Sequence, residues 1–274
     1  MSPSPACNIP LFTACRAVVC DLDGTLYLED GPIFGAQQFL KQVLARGKQL
    51  YYFTNNDSIS REGWLNKLRE LDFPIESRQL IMASDCAEAY LKRNGWYPEI
   101  YLIGNTDLRR DFSDRGFRCL DESEALQGQA KAVVLAFDTE LNYEKITVGY
   151  ELLMRGLPYV ATHGDLLCPV TKNRFKPDIG TFISLFETAC GRKPILVGKP
   201  TAEAARVIAE KAQLPYKRIA FIGDRLYTDM QMATDTGMVS VLVLSGETTE
   251  AMLAASHLRP HLIAASVNDL TDFL

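Results

Sequence analysis

Short apolar runs, each breaking off into a polar segment and then a helix-like pattern, recur along this chain and restrict it to one class of fold. Ala17-Val18-Val19-Cys20 is the first such run. The stretch from about Ala36 to Arg46 then sets Phe39, Leu40, Val43 and Leu44 on one helical face, with Gly47 as its stop. Gln49 to Phe53 reads as a second strand, and Ser60 caps a helix carrying Trp64, Leu65, Leu68 and Leu71 that ends near Pro74. Strand and helix alternating in this order predict a mainly parallel sheet covered by helices, a Rossmann-like doubly wound α/β core.

The alternation returns late in the chain. Strands are expected at Ile195-Leu196-Val197, Ile219-Ala220-Phe221-Ile222 and Val239 to Leu244, with a weaker edge strand at His261 to Ala264. Helices are expected from Thr201 to Ala212 and before Gly237. The stretch between these halves has its own α/β logic. Its strands are Tyr101-Leu102-Ile103, Ala132 to Phe137 and Tyr159-Val160-Ala161, and its helices run at about Asp85–Asn94, Thr106–Arg115, Tyr143–Arg155 and Gly180–Ala189. A length of 274 residues allows one large domain or two smaller ones. The expected organisation is a discontinuous core, 1–79 plus 191–274, with a smaller α/β domain inserted at 80–190.

Composition excludes several classes of function. The formal net charge of −5 leaves no basic surplus for a nucleic-acid backbone, although a small phosphorylated ligand needs only a few local cations. Seven scattered cysteines, Cys7, Cys15, Cys20, Cys86, Cys119, Cys168 and Cys190, form no Cys-x-x-Cys pair, so neither a disulfide framework nor a zinc site is indicated. The first twenty residues carry three prolines and one basic residue, Arg16, unlike a signal peptide. No apolar run is long enough to span a bilayer. The expectation is a soluble, cytoplasmic protein.

The chemistry concentrates where strands end, which is where open α/β sheets bind ligands. Four segments occupy such places: Asp21-Leu22-Asp23-Gly24-Thr25, Thr54-Asn55-Asn56, Gly198-Lys199-Pro200 and Gly223-Asp224-Arg225-Leu226-Tyr227-Thr228-Asp229. If their strands are neighbours, all four converge on one pocket. Asp21 and Asp23, two apart in an extended segment, can point the same way. Gly24 permits a sharp turn that brings backbone amides close to an anion. One carboxylate can attack phosphorus and form an aspartyl-phosphate, while the second protonates the leaving oxygen and later takes a proton from water. Two such neighbours push one pKa upward, which suits the acid. Thr54 and Asn55 offer a hydroxyl, an amide and backbone N–H groups to phosphoryl oxygens, and Lys199 a point charge. Asp224 with Asp21 can hold Mg²⁺, with Asp229 orienting Lys199 or a metal-bound water. Singly, each segment also fits an acidic turn, a solvated loop or a helix cap.

At these residues the chain resembles the haloacid dehalogenase-like (HAD) hydrolases, aspartate-nucleophile phosphatases. Adding Leu244-Ser245-Gly246-Glu247-Thr248-Thr249, it resembles their NagD or 4-nitrophenylphosphatase-like branch, subfamily IIA. The resemblance implies Asp21 as nucleophile, Asp23 as acid/base, and Thr54 and Lys199 as phosphoryl ligands. It implies Mg²⁺ held by Asp21, the backbone carbonyl of Asp23 and Asp224, with Asp229 in support. It also implies a compact α/β type 2 cap. About thirty residues separate Asp21 from Thr54, too few for a domain, whereas about 145 separate Thr54 from Lys199. A homodimer formed through the cap is one assembly such families use.

Ala161-Thr162-His163-Gly164-Asp165-Leu166-Leu167-Cys168-Pro169 resembles the cap loop that faces the active site, although many relatives have Asn-Pro where His163-Gly164 stands. His163, Asp165, Cys168, Arg174 and Phe182 are therefore candidates for leaving-group contacts. Each also fits a plainer role: Cys168 as a buried small apolar residue, Phe182 as cap core, His163 and Arg174 as solvated loop. The favoured function is Mg²⁺-dependent hydrolysis of a small metabolite's phosphate monoester. The alternatives are a phosphotransferase or mutase with the same nucleophile, a non-catalytic phosphate-binding regulatory module, and, more weakly, a dehalogenase.

Overall fold

Ala17–Asp21 is buried at every position, and a strand with no solvent face has to lie inside a sheet. It pairs in parallel with Gln49–Thr54 on one side, Asp21 standing opposite Phe53. On its other side it pairs in parallel with Ile219–Gly223, Cys20 standing opposite Ile222. The sheet continues through Val239–Val243 to Leu262–Ala264, both again parallel, and ends at the far side with Leu80–Met82 next to Gln49–Thr54. Burying a Val, Ile, Leu or Phe side chain contributes about 1.5–3 kcal/mol. A charged residue at Val19, which is fully enclosed, would therefore break this sheet at its centre. The computed structural model describes residues 8–29, 31–171 and 174–274; Cys7 lies outside them.

The strand order places the chain's first and second strands on one side of a reversal and its late strands on the other. The reversal lies between Ala17–Asp21 and Ile219–Gly223, the position where open parallel sheets leave a crevice beyond their carboxyl ends. Ala36–Ala45 and Ala202–Ala212 supply helices of this first unit, each burying an apolar stripe. Thr201 caps the second of them through its hydroxyl, which accepts from the Ala204 amide at 3.3 Å.

A second unit has its own parallel sheet in the order Ile195–Leu196, Tyr159–Ala161, Ala132–Leu135, Glu99–Ile103, Arg118–Cys119. Its core brings Tyr101, Ile103, Val133, Leu135, Leu153 and Phe186 together beneath the helices Tyr143–Met154 and Ile179–Cys190. An antiparallel pair, Leu167–Thr171 with Arg174–Pro177, completes it.

The two units consist of everything through Thr54 with Leu65–Ile81 and Lys199–Leu274, and of Asn55–Trp64 with Met82–Gly198. These limits differ from the expected junctions at 79/80 and 190/191. Asn55–Trp64 falls in the second unit, and two short strands account for the limits at 81/82 and 198/199. Leu80–Met82 extends the first sheet although it is only three residues long. Ile195–Leu196, expected in the first sheet, hydrogen-bonds to Tyr159–Ala161 in the second, with Ile195 opposite Val160. An apolar run identifies a strand; its partner is a long-range choice that the run itself does not encode.

Candidate active site

Asp21 ends the central strand of the first sheet, and Asp224 follows the neighbouring strand directly. Asp229 comes from the turn of π-helix Leu226–Met230. One carboxylate oxygen from each of these three lies within 4.8 Å of the others. Lys199 enters the same group. Its Nζ bonds to Asp21 Oδ1 and, at 2.8 Å, to Asp229 Oδ1, in a position only 4% exposed. The rings of Phe53 and Phe221 flank the ammonium, with centroids 5.3 and 5.4 Å away. Thr54, which is buried, ends the strand beside Asp21.

The electrostatics follow from enclosure. Burial, followed by the charges of Asp229 and Asp224, raises Asp21 to about 8 even though Lys199 pulls the other way. Asp224 rises to about 6, again chiefly by burial and then by Asp229. Burial works against the Lys199 ammonium, but Asp21 and Asp229 overcome it and hold the proton above its ordinary value. Asp21, Asp224, Asp229 and the nearby Glu247 outnumber the cations Lys199 and Arg225, which leaves excess negative charge in a low-dielectric site, the situation that favours a bound cation.

The donor set fits Mg²⁺. Asp224 spends Oδ1 on the Thr25 hydroxyl at 3.3 Å and Oδ2 on the Glu247 amide at 2.7 Å, yet each carboxylate oxygen keeps a further lone pair. Asp229 is committed at both oxygens, Oδ1 to Lys199 and Oδ2 to the Arg225 amide at 3.2 Å. Its Oδ1 faces the buried Lys199 ammonium, a position from which it can orient that lysine. Mg²⁺ uses one or two carboxylates and completes its octahedron with water and phosphate oxygen, a demand that Asp21 and Asp224 match.

The glycines show how closely this site is built. Gly24 has φ +83°, and a Cβ there would stand 2.5 Å from Asp224 Oδ2. At Gly246 a Cβ would come within 2.0 Å of the same oxygen. Gly24 also closes the turn after Asp21, its amide donating to the Tyr27 carbonyl at 2.9 Å. Asp23 is half-buried on that turn, and its carboxyl accepts no hydrogen bond from the described residues.

The structure thus brings Asp21, Asp23, Gly24, Thr54, Lys199, Asp224 and Asp229 into one unit. Lys199 arrives from a strand of the second sheet, not of the first. The remaining predicted residues belong to the second unit. Asn55 donates its side-chain amide to Asp165 Oδ2 at 3.3 Å. His163 is 1% exposed, not a solvated loop residue. Its Nδ1 accepts from the Asp165 amide at 3.3 Å, and its Nε2 lies 3.8 Å from Asp178 Oδ1. Cys168 Sγ is 3.7 Å from the Asn56 side-chain amide nitrogen, Arg174 is exposed, and Phe182 packs against the unit's core. The sequence motifs include Thr25, Arg225, Gly246 and Glu247 but assign none of them a site role, although the signal was present. Ser245-Gly246-Glu247 is one more polar, glycine-bearing segment just past an apolar strand.

Comparison with known proteins identifies the family. Residues 18–118 match the family described as haloacid dehalogenase-like hydrolase, and residues 196–270 match one described as HAD-hydrolase-like. Glycerol-3-phosphate phosphatase of Gallus gallus is 30% identical over 248 residues, 84% of this chain and 79% of that protein. The chloroplastic phosphoglycolate phosphatase 1A of Arabidopsis thaliana is 27% identical over 280 residues, covering 94% and 77%. The crystal structure of 4-nitrophenylphosphatase from Thermotoga maritima superposes with a TM-score of 0.88 at 34% identity, covering 96% of this chain and 98% of that one. The chain belongs to the haloacid dehalogenase-like hydrolases. Within them it falls in the NagD and 4-nitrophenylphosphatase branch, whose named relatives here are phosphatases. Among the described residues no helix is long and apolar enough to cross a membrane.

Proposed function

We propose that this chain hydrolyses phosphate monoesters of small metabolites through an aspartyl-phosphate on Asp21. The observation that carries the reading is the buried meeting of Asp21 with Lys199, Asp224 and Asp229 at the carboxyl ends of parallel strands. Asp21 Oδ attacks phosphorus, and the bond to the leaving alcohol oxygen breaks as the new P–O bond forms. Asp23, whose carboxyl accepts no hydrogen bond from the described residues, gives its proton to that oxygen. It then takes a proton from a water that attacks the phosphorus, releasing phosphate and restoring Asp21. Lys199 and the Thr54 hydroxyl hold the phosphoryl oxygens, and the turn at Gly24 lets backbone approach them. Mg²⁺, held by Asp21, Asp224 and the Asp23 carbonyl, would neutralise charge between an anionic nucleophile and an anionic substrate. Asp229 fixes Lys199.

His163 and Asp165 are the second unit's candidates for setting which ester is accepted. The scattered cysteines, with no Cys-x-x-Cys pair, fit a reducing compartment such as the cytoplasm. We carry forward a homodimer as the assembly implied by the resemblance, testable by light scattering.

The deciding experiment measures phosphate release from 4-nitrophenyl phosphate and a panel of phosphorylated metabolites, with Mg²⁺ and with EDTA. Metal-dependent release is expected. Absence of turnover with every ester would sink the proposal, and transfer to an added alcohol in preference to water would make the enzyme a phosphotransferase.

A further inference from the structure

Asp224 is aimed by a loop that contributes no ligand of its own. Ser245 to Thr248 follows the strand Val239–Val243 and packs against the aspartate. The Ser245 hydroxyl donates to the Gly24 carbonyl at 2.8 Å, tying the loop to the Asp21 turn. Gly246 lies so close to Asp224 Oδ2 that no side chain fits. The Glu247 amide donates to that oxygen at 2.7 Å, and the Thr248 amide donates to the Asp224 carbonyl at 3.2 Å.

The Glu247 side chain is itself engaged. Glu247 Oε2 lies 3.0 Å from Arg225 Nε and accepts from the Tyr227 hydroxyl at 3.1 Å. Arg225 is the residue after Asp224, and its side chain is largely buried while that of Glu247 is 40% exposed. The loop is thus tethered to both ends of the Asp224-Arg225-Leu226-Tyr227 segment. Its amide grips the carboxylate, and its carboxylate grips the following arginine and tyrosine. With the Glu247 carboxylate 40% exposed, the pair contributes modestly to global stability. Its geometry instead fixes one oxygen of Asp224, and small displacements of a supporting group typically cost a metal site 10–100-fold in affinity.

We propose that Glu247 is a positioning residue for the divalent-metal site, holding Asp224 at the ligating angle through its backbone amide, with Arg225 and Tyr227 as tethers. This rests on the reading of Asp21 and Asp224 as metal ligands. It predicts that cutting the tether weakens metal binding while leaving the fold intact.

The test is calorimetric titration of Mg²⁺ into the metal-free full chain, without substrate, for wild type, Glu247→Ala and Glu247→Gln. Metal-free melting curves and the substrate KM at saturating Mg²⁺ accompany it. Glu247→Ala should weaken Mg²⁺ binding by roughly 10-fold. Its metal-free melting temperature and its KM should match wild type. Glu247→Gln, which keeps an oxygen for Tyr227 and Arg225, should recover most of the lost affinity. Wild-type affinity in Glu247→Ala would overturn the proposal. So would a melting temperature that falls in step with affinity and is not rescued by glutamine, because that pattern describes a structural contact. If wild type itself binds no divalent ion, the metal reading fails first and takes this role with it. Binding by wild type with an unaffected variant refutes the tether alone.

Discussion

Lys199→Met removes one charge and keeps nearly the same volume, so it isolates what the ammonium does among three acids. Lys199 is 4% exposed and bonds to two of them, Asp21 and Asp229. Removing one partner of a buried ion pair typically costs about 3–5 kcal/mol. Here the cost should depend on pH in a direction that the wild-type site fixes. Asp21 loses its proton at about 8 in the folded protein against an ordinary 3.8, so folding takes up a proton. Its charging destabilises the fold as pH rises from about 4 to 8 and levels off above that. Without Lys199 this carboxyl is held up further still. Below about pH 6 it is protonated in both proteins and adds nothing to their difference. Between the wild-type value and the higher one in the variant, the variant's deficit grows with pH. Urea unfolding in EDTA at pH 6 and pH 9 measures this. The variant should be less stable at both, and more so at pH 9. A deficit equal at the two pH values, or larger at pH 6, would refute the assignment of Lys199 as the cation that restrains Asp21. The same variant should lose about 10²–10³-fold in turnover, as removal of one transition-state donor does.

Asp21→Asn keeps the shape of the proposed nucleophile but cannot form an acyl phosphate; phosphate release should fall by roughly 10⁴-fold or more with an unchanged circular dichroism spectrum. Gly246→Ala places a methyl group where Asp224 Oδ2 stands, 2.0 Å away, and should destabilise by about 1–3 kcal/mol. Mg²⁺ titration of that variant should show weakened binding as well. EDTA should abolish phosphate release by wild type, and added Mg²⁺ should restore it; activity that persists after dialysis against chelator would contradict the metal's role.

The sheet was legible because its chemistry is written in side chains. Ala17 to Cys20 and Ile219 to Ile222 are apolar throughout, and acidic residues follow both at once. What stayed hidden lies in pairing and in backbone. Ile195-Leu196 has the residues of a strand of either sheet, and its place was decided by Tyr159–Ala161, far away in sequence. Glu247 acts on Asp224 by a main-chain amide, a group that every residue except proline owns and that leaves no trace in residue type. His163 looked like part of a polar loop between Thr162 and Gly164. It is buried because Asp165 and Asp178, on either side of a hairpin, flank its ring nitrogens.

The central strand's neighbours also dictate when the site can exist. Gln49–Thr54 emerges soon after Ala17–Asp21 during synthesis, but the other neighbour, Ile219–Gly223, comes near the end. The Thr25–Asp224 contact spans 199 residues, so the closing of this sheet is among the most non-local events in the chain. Until then one edge of an apolar strand stands unpaired, a template for wrong partners. The second sheet, encoded without interruption from Glu99 to Leu196, suffers no such delay. A nascent chain would therefore carry a finished insert on an unfinished catalytic sheet. Chains truncated before Asp224 should aggregate through that edge and hydrolyse nothing.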